Sequence, residues 1–531
     1  MLIQAMRQIQ RELTEQLGNA SRKLKQMEHQ LQQLLRRLYG RSSEKIDPKQ
    51  MALFAEMLKE LEAQNPPAEP PPAAEPVAEA PKRNGHGRRR IPADIPRERV
   101  VHDLPEEEKP CPCCGEMRTV IGQEVTEQIE FVPAQIKAIE HVQLKYACKA
   151  CEQNASENGP QIVTAEKPLS PIEKGLAAPG LLAYVAVSKY GDHLPLNRLE
   201  HMLQRSGIDI ARSTMCDWMR QTAEALRPLH GLMIREVLAS KVIHTDDTPV
   251  DVLDRRLPQT REGRFWVYLG DESHPYVVFD YTPNRKRDGP VNFLKNWGRD
   301  ARRYLQADAF GGYDGIYAGQ AGGNAAGPVG VTEVACWAHA RRKFHEARNA
   351  DHAGSAQALA YIRLLYDVEK QAREQFEAQG EDHVRSLADI RLELRQKLAV
   401  PRLAELKAWM ESLLPAAGGL VLPKSPMGQA ITYALNQWDA LCVYTTDGEL
   451  AIDNNAAENA LRRIAIGRKN WLFAGSDNGG RTAAVLFSII ASCQRHHVDP
   501  FAYLRDVLTR IAAHPACRLA ELLPDRWHPP A

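Results

Sequence analysis

Lys241–Val250 reads KVIHTDDTPV: it begins as a buried β-strand and runs straight into His244, Asp246 and Asp247. Carboxylates at the end of an apolar strand are costly to desolvate unless a cation or a hydrogen-bond network receives them. The flanking sequence extends the β reading. KVIHTDDTPVDVL, RFWVYLGD and PYVVFDYT are β-rich runs separated by polar turns that contain Gly, Pro or Asn. GPVNFLKNW then reads as a short helix and RRYLQADAF as another strand. GGYDGIY turns away into helix, and TEVACWAHARRKF gives a strand followed by a basic helix. Three consecutive strands, a helix, a strand, a helix and a further strand predict an α/β fold, a mixed sheet covered by helices.

In this reading Asp308 ends an apolar strand much as Asp246 does. Neighbouring strands carrying the two at matching places would bring like charges together, and these need a compensating cation. Oxygen ligands with few protein donors suit Mg²⁺, which keeps waters and accepts phosphate oxygens. A third carboxylate is expected from a helix, and IDNNAAENALRRIAIGRKNWLFAG supplies Glu458 near the start of one. Asn455-Ala-Ala-Glu458 also matches a capping box, which would give Glu458 a purely local role. Against that, Arg462 lies one turn along the same face, and Arg463, Arg468, Lys469 and Arg481 follow. A carboxylate on a basic surface suits a place where a metal meets a DNA backbone. About 150 residues separate Asp308 from Glu458, too many for a tight core alone. The charged helical stretch from 349 to 415 is therefore expected to be an insertion.

Upstream the chain changes character several times. Leu13, Leu17, Ala20, Leu24, Met27, Leu31, Leu34 and Leu38 follow the alternating spacings of a heptad seam, so residues 1–64 are expected to self-associate as a coiled coil. Residues 65–81 are a Pro/Ala/Glu linker that cannot build a core. The stretch KRNGHGRRRIP follows, and Arg88, Arg89 and Arg90 make a basic arm able to follow phosphates or enter a narrow minor groove. Cys111 and Cys114 form one C-x-x-C and Cys148 and Cys151 another, the ligand set of a structural zinc ribbon. Beyond them, PLNRLEHMLQRSGIDIARSTMCDWMRQTAEAL reads as helix, turn at Gly207, then a second helix capped by Ser213. That is the outline of a helix-turn-helix, whose second helix, here starting near Arg212 and Ser213, enters the major groove.

The bulk numbers agree with a multidomain intracellular protein. At 531 residues the chain is too long for one ordinary domain, and a hydrophobic content of 44% supports real cores. A net charge of +1 hides the basic segment inside a neutral total. Ten cysteines in a chain that reads without an export signal suggest metal rather than disulfides. No apolar run reaches membrane-spanning length, so the expectation is a cytoplasmic, nucleoid-associated bacterial protein with no membrane partner.

HTDDTPV, LQADAFGGYDGIY, CWAHARRKF and DNNAAENALRRIAIGRKNWLFAGSDNGGRTAA resemble the core blocks of the large transposase of the insertion sequence 66 family. RLYGRSSEKID, the two-knuckle cysteine module and the helical region stand in that family's order, so the resemblance spans most of the chain. It implies a DDE transposase with an RNase H-like catalytic core and the triad Asp246, Asp308 and Glu458. The family usually has Asp-Glu-Thr where this chain has Asp246-Asp247-Thr248. Adjacent strand side chains face opposite ways, and the resemblance selects Asp246, on the face of His244. It further implies two Mg²⁺ ions, for which Mn²⁺ can substitute, activating water and then a DNA 3′-OH. His339 and Arg341 would support the site or contact phosphate, and Arg462, Arg463, Arg468 and Lys469 would contact DNA. The partners implied are double-stranded DNA, as transposon ends and target, another copy of the chain, and small accessory proteins.

The resulting division is a coiled coil over 1–64, linker and basic arm 65–99, zinc ribbon 100–168, helical DNA-binding domain 169–235, catalytic domain 236–512 and tail 513–531. Two other readings use the same residues: a DNA-binding protein without catalysis, and a nuclease that cuts without joining.

Overall fold

The computed structural model describes residues 136–147 and 162–529, apart from 168, 174, 255, 309, 314, 318–329 and 381–383. The coiled coil, the linker, Arg88–Arg90 and the four zinc-ribbon cysteines lie outside the described residues. A short antiparallel ribbon comes first, β1 (Lys145–Ala147) paired with β2 (Ile162–Thr164). Three helices follow: α1 (Pro179–Tyr190), α2 (Leu196–Arg205) and α3 (Arg212–Ala239).

The central sheet is built from β3 (Val242–Val252), β4 (Arg261–Leu269), β5 (Val277–Thr282), β6 (Arg302–Gln306) and β7 (Gly330–Val334), with α4 (Asp288–Phe293) between β5 and β6. Its order is β5-β4-β3-β6-β7. β3, β4 and β5 form an antiparallel meander, whereas β6 and β7 join parallel to β3. This is the mixed sheet expected from the sequence. β3 is central yet contains Pro249, a residue that cannot donate to a ladder. The strand tolerates it because β6 pairs only with Val242–His244, while β8 (Phe473–Ala474) pairs only with Asp251 and Val252. Between those two partners one side of β3 is bare, and the Arg468 guanidinium fills it, donating to Thr248 Oγ1 at 3.1 Å and Pro249 O at 2.6 Å.

After β7 the chain turns helical. α5 (Trp337–Glu346), α6 (His352–Glu377), α7 (Leu387–Leu394), α8 (Val400–Ser412), α9 (Pro426–Asn436) and α10 (Trp438–Cys442) enclose an apolar core of their own. That core reaches the sheet at Val242, Tyr304 and Val334 and runs on to Ile452. The helical stretch therefore extends past 415 in space, since α9 and α10 complete its packing. Trp337, the first residue of α5, is fully buried and donates its indole N–H to Leu441 O.

α11 (Asn455–Trp471), α12 (Asp477–Arg495) and α13 (Pro500–Arg510) return to the sheet. α12 runs along β5, the strand at the end of the sheet order. Ser488 Oγ accepts the Phe279 N–H at 2.8 Å, and Ser492 Oγ accepts the Val277 N–H at 3.1 Å. Two buried serines one turn apart thus satisfy strand-edge groups that would otherwise be orphaned.

The helices before β3 share this same core. Leu226, Leu229, Met233 and Val237 of α3 pack with Phe487, Ile490 and Leu504, so the region separated by sequence at 169–235 is continuous with the central sheet. The expected helix-turn-helix start is also corrected. α3 begins at Arg212 with Ala211 as N-cap, Ser213 does not cap, and the Glu200 carboxylate of α2 accepts the Arg212 N–H at 3.0 Å. A carboxylate at a helix N-terminus is favourable on charge grounds as well as for the hydrogen bond.

Candidate active site

Four elements converge at the lower end of β3. Asp246 comes from β3, and Asp308 follows β6 by two residues. Cys336 caps α5 and places His339 in its first turn, while Glu458 lies in the first turn of α11. The β3–β6 register pairs His244 with Gln306. Continued two residues, it sets Asp246 across from Asp308 on the same face.

Asp246 and Asp247 are adjacent in sequence but differ in environment. The Asp247 side chain is 1% exposed and held by two guanidiniums: Arg264 at 2.9 Å and Arg285 at 2.8 Å. Asp246 makes no such pair; its Oδ1 only accepts the Asp247 backbone N–H at 2.8 Å. Burial, followed by the charges of Asp308, Asp247 and Glu458, pushes its carboxyl up to about 7. Asp308 is raised too, first by burial and then by Asp247, with His339 and Arg285 opposing. The Arg285 guanidinium lies 3.9 Å from Asp308 Oδ2 and 4.0 Å from the centre of the Phe310 ring.

Glu458 does not form the capping box that its spacing allowed. Asn454 is the N-cap, and its side chain is used across the site instead: Oδ1 meets His244 Nδ1 at 3.0 Å and Nδ2 donates to Thr245 O at 2.8 Å. The Asn455 side chain turns back to Asp453. Glu458 is left reaching toward His339, whose Nε2 lies 3.7 Å from Oε1. Two polar atoms here are buried without a hydrogen-bond partner, Asp308 Oδ1 and His339 Nδ1. Buried polar groups are nearly always paired, so an acceptor oxygen left bare beside two more carboxylates suits a hard divalent cation.

Asn454, Arg285 and Cys336 are the residues that sequence reading passed over. All three lay in or beside the quoted blocks, and Cys336 stands in a Cys-x-x-His spacing that places both on one face of a helical turn. Ligand atoms of Cys336, His339 and Glu458 lie within 4.8 Å of one another. The thiol is buried, pushed up to about 11 mainly by desolvation, and accepts the Asn454 N–H. It therefore serves the fold as a protonated group that joins α5 to α11.

The expected DNA contacts separate into two kinds. Arg212, Ser213, Arg341, Arg462 and Lys469 are exposed. Arg463 is half-buried, and Arg468 is engaged with β3 as described.

Comparison with known proteins gives four family matches along the chain. The family described as Transposase IS66 family matches residues 174–482, more than half of the chain. The zinc-finger binding domain of transposase IS66 matches 108–152, a span that contains Cys111, Cys114, Cys148 and Cys151. The IS66 C-terminal element matches 488–524, and the family described as Transposase C of IS166 homeodomain matches 26–100. Among curated proteins, the uncharacterized protein y4hP of Sinorhizobium fredii (strain NBRC 101917 / NGR234) is 34% identical over 448 residues, covering 82% of this chain and 76% of that protein. The uncharacterized protein y4qI of the same strain is 31% identical over 466 residues, covering 86% and 80%.

Proposed function

We propose that this chain, which belongs to the transposase IS66 family, binds the terminal inverted repeats of its insertion sequence and catalyses cleavage and transfer of their strands on an RNase H-like core. One observation carries the reading: Asp246, Asp308 and Glu458 converge from two parallel strands and a helix, and an oxygen of Asp308 there lacks any partner. The same three carboxylates would hold Mg²⁺ or Mn²⁺, which when bound lowers the pKa of an attacking water and neutralises charge on a scissile phosphate.

The protein's own groups have separable tasks. Asp246 carries its proton up to about neutrality and would give it up in order to ligate a cation. Asn454 fixes His244 and ties the start of α11 to β3, so that Glu458 is aimed by backbone rather than by its own hydrogen bonds. His339 lies beside Glu458 and restrains its rotamer. Exposed Arg462 and Lys469 on α11, and Arg212 on α3, supply the cations for the DNA backbone. Cys111, Cys114, Cys148 and Cys151 hold a structural zinc, Arg88–Arg90 contact DNA phosphates, and the heptad segment joins two copies so that two DNA ends are held together. Among the described residues no helix is long and apolar enough to cross a membrane, and we place the protein with the chromosome in the bacterial cytoplasm.

The test is Mg²⁺-dependent cleavage and joining of labelled duplex carrying the element's own ends, with wild type beside Glu458→Gln. Joining by wild type and at least a hundredfold loss in the variant is the expected result. Equal activity of the two would return Glu458 to a structural role. Binding of the ends without cutting by either protein, with and without the small proteins encoded alongside, would replace the reading with a DNA-binding protein lacking catalysis.

A further inference from the structure

The helix that begins with Glu458 ends in backbone strain. Leu472, just past α11, has φ 65 and ψ −54, the geometry of a strained γ-turn that bulky residues seldom adopt. Strain of this kind persists only where the surrounding structure enforces it, and it concentrates at functional sites. Here it holds two large apolar side chains in solvent, Leu472 at 64% and Phe473 at 44% exposure.

The same turn borders a pocket of about 310 Å³ whose walls include Tyr190, Met219, Phe487 and Trp471. Lys189 lies in it, with its ammonium 5.3 Å from the centre of the Tyr190 ring and 5.9 Å from that of Trp471. Among the described residues no carboxylate pairs with this ammonium. Gly467 makes room for the pocket wall, because a Cβ there would lie 2.7 Å from the indole nitrogen of Trp471. Exposed Lys469 on the preceding turn adds positive charge, whereas Arg220 at the pocket wall is held by Asp217 and Glu224.

Aromatic walls with one free donor match a flat ring that carries acceptor atoms, and the basic helix leading there matches a phosphodiester backbone. We propose that the pocket receives a nucleobase unstacked from bound DNA, with Leu472 and Phe473 inserting into the gap as a wedge. Apolar wedges and aromatic acceptor pockets are the physical requirements for displacing a base. The site rests on the reading that the protein binds DNA ends. Trp471 is 13 residues beyond Glu458, about 20 Å along α11 at 1.5 Å per residue. For a duplex following that helix, the displaced base lies roughly six base pairs from the scissile bond, at 3.4 Å per pair.

The experiment uses full-length protein carrying Glu458→Gln, so that no chemistry intervenes. Its probes are duplexes of the element's terminal sequence, intact or with one abasic position moved along the end, and binding is measured by titration. On intact DNA, Leu472→Ala and Lys189→Gln are expected to bind about tenfold more weakly than their parent. At one abasic position near the sixth pair, the deficit should vanish for both, because there is no longer a base to displace or contact. Iodouracil at the same position should photocrosslink to the peptide containing Trp471. A deficit that stays constant across all abasic positions would make these side chains ordinary backbone contacts and overturn the proposal while leaving DNA-end binding intact. Variants that bind intact DNA as the parent does, or that change self-association in the absence of DNA, would overturn it equally. No binding by the parent protein would overturn both this proposal and the functional reading beneath it.

Discussion

Asp246 and Asp247 show how one step along a strand separates two identical side chains. Asp247 faces two arginines and is neutralised, whereas Asp246 faces two other carboxylates. Strand alternation put the pair on opposite faces and the family resemblance selected Asp246, but Arg285, sixteen residues past β4, could not be placed because nothing local points it at Asp247. Two expectations follow. A carboxyl raised in the folded state stabilises fully below its unfolded pKa near 3.8, and that contribution is lost as pH climbs through about 7. In Mg²⁺-free buffer at pH 8, Asp246→Asn should therefore melt roughly 2–5 °C higher than wild type. Added Mg²⁺ should raise the melting temperature of wild type only, as thermal scans at pH 5 and 8 would show. The second concerns Asp247→Asn, which releases Arg285 to pair with Asp308 in place of a cation. Mn²⁺ binding, followed by calorimetry, should weaken by roughly tenfold.

At the scale of elements, period and turn signals located nearly every strand of the central sheet; β3 and β5 fall within the quoted runs, whereas β4 begins three residues before its run. What they could not reveal were contacts between distant elements: Ser488 and Ser492 look like weak spots in an apolar helix until β5 is beside them. The helical insertion has a comparable hidden tie. Arg395 is fully buried, gives Nε and Nη2 to Glu369 at 2.7 and 2.8 Å, and donates to the carbonyls of Tyr444, Asp447 and Leu450. Those carbonyls lie on the segment that leads into α11, so this one side chain links the insertion to the helix carrying Glu458. Arg395→Ala leaves buried Glu369 with only the longer contact to Arg391, at 3.6 Å, and should cost roughly 3–5 kcal/mol in a denaturant titration. The loss should appear as an earlier transition of the insertion, reported by Trp409 and Trp438 fluorescence.

At the scale of the whole chain, paired cysteines and alternating strands each have their own chemistry, and the zinc-finger, central and C-terminal family matches succeed one another in the order read from the sequence. Packing between parts was not legible, and α1–α3, which sequence set apart, share the core of the sheet. The cysteine module gives the prediction proper to this scale. Metal analysis of the intact protein should return one zinc per chain, and Cys111→Ser should remove it and weaken DNA binding while the melting transition of residues 179–510 stays within about 2 °C. The covered margin of β5 has a consequence for crowding. In the proposed function, copies gathered on two DNA ends would sit at very high local concentration, where an open strand would invite fibre growth. With α12 capping that margin through two hydroxyls, crowded copies would not seed an aggregate from this side of the sheet.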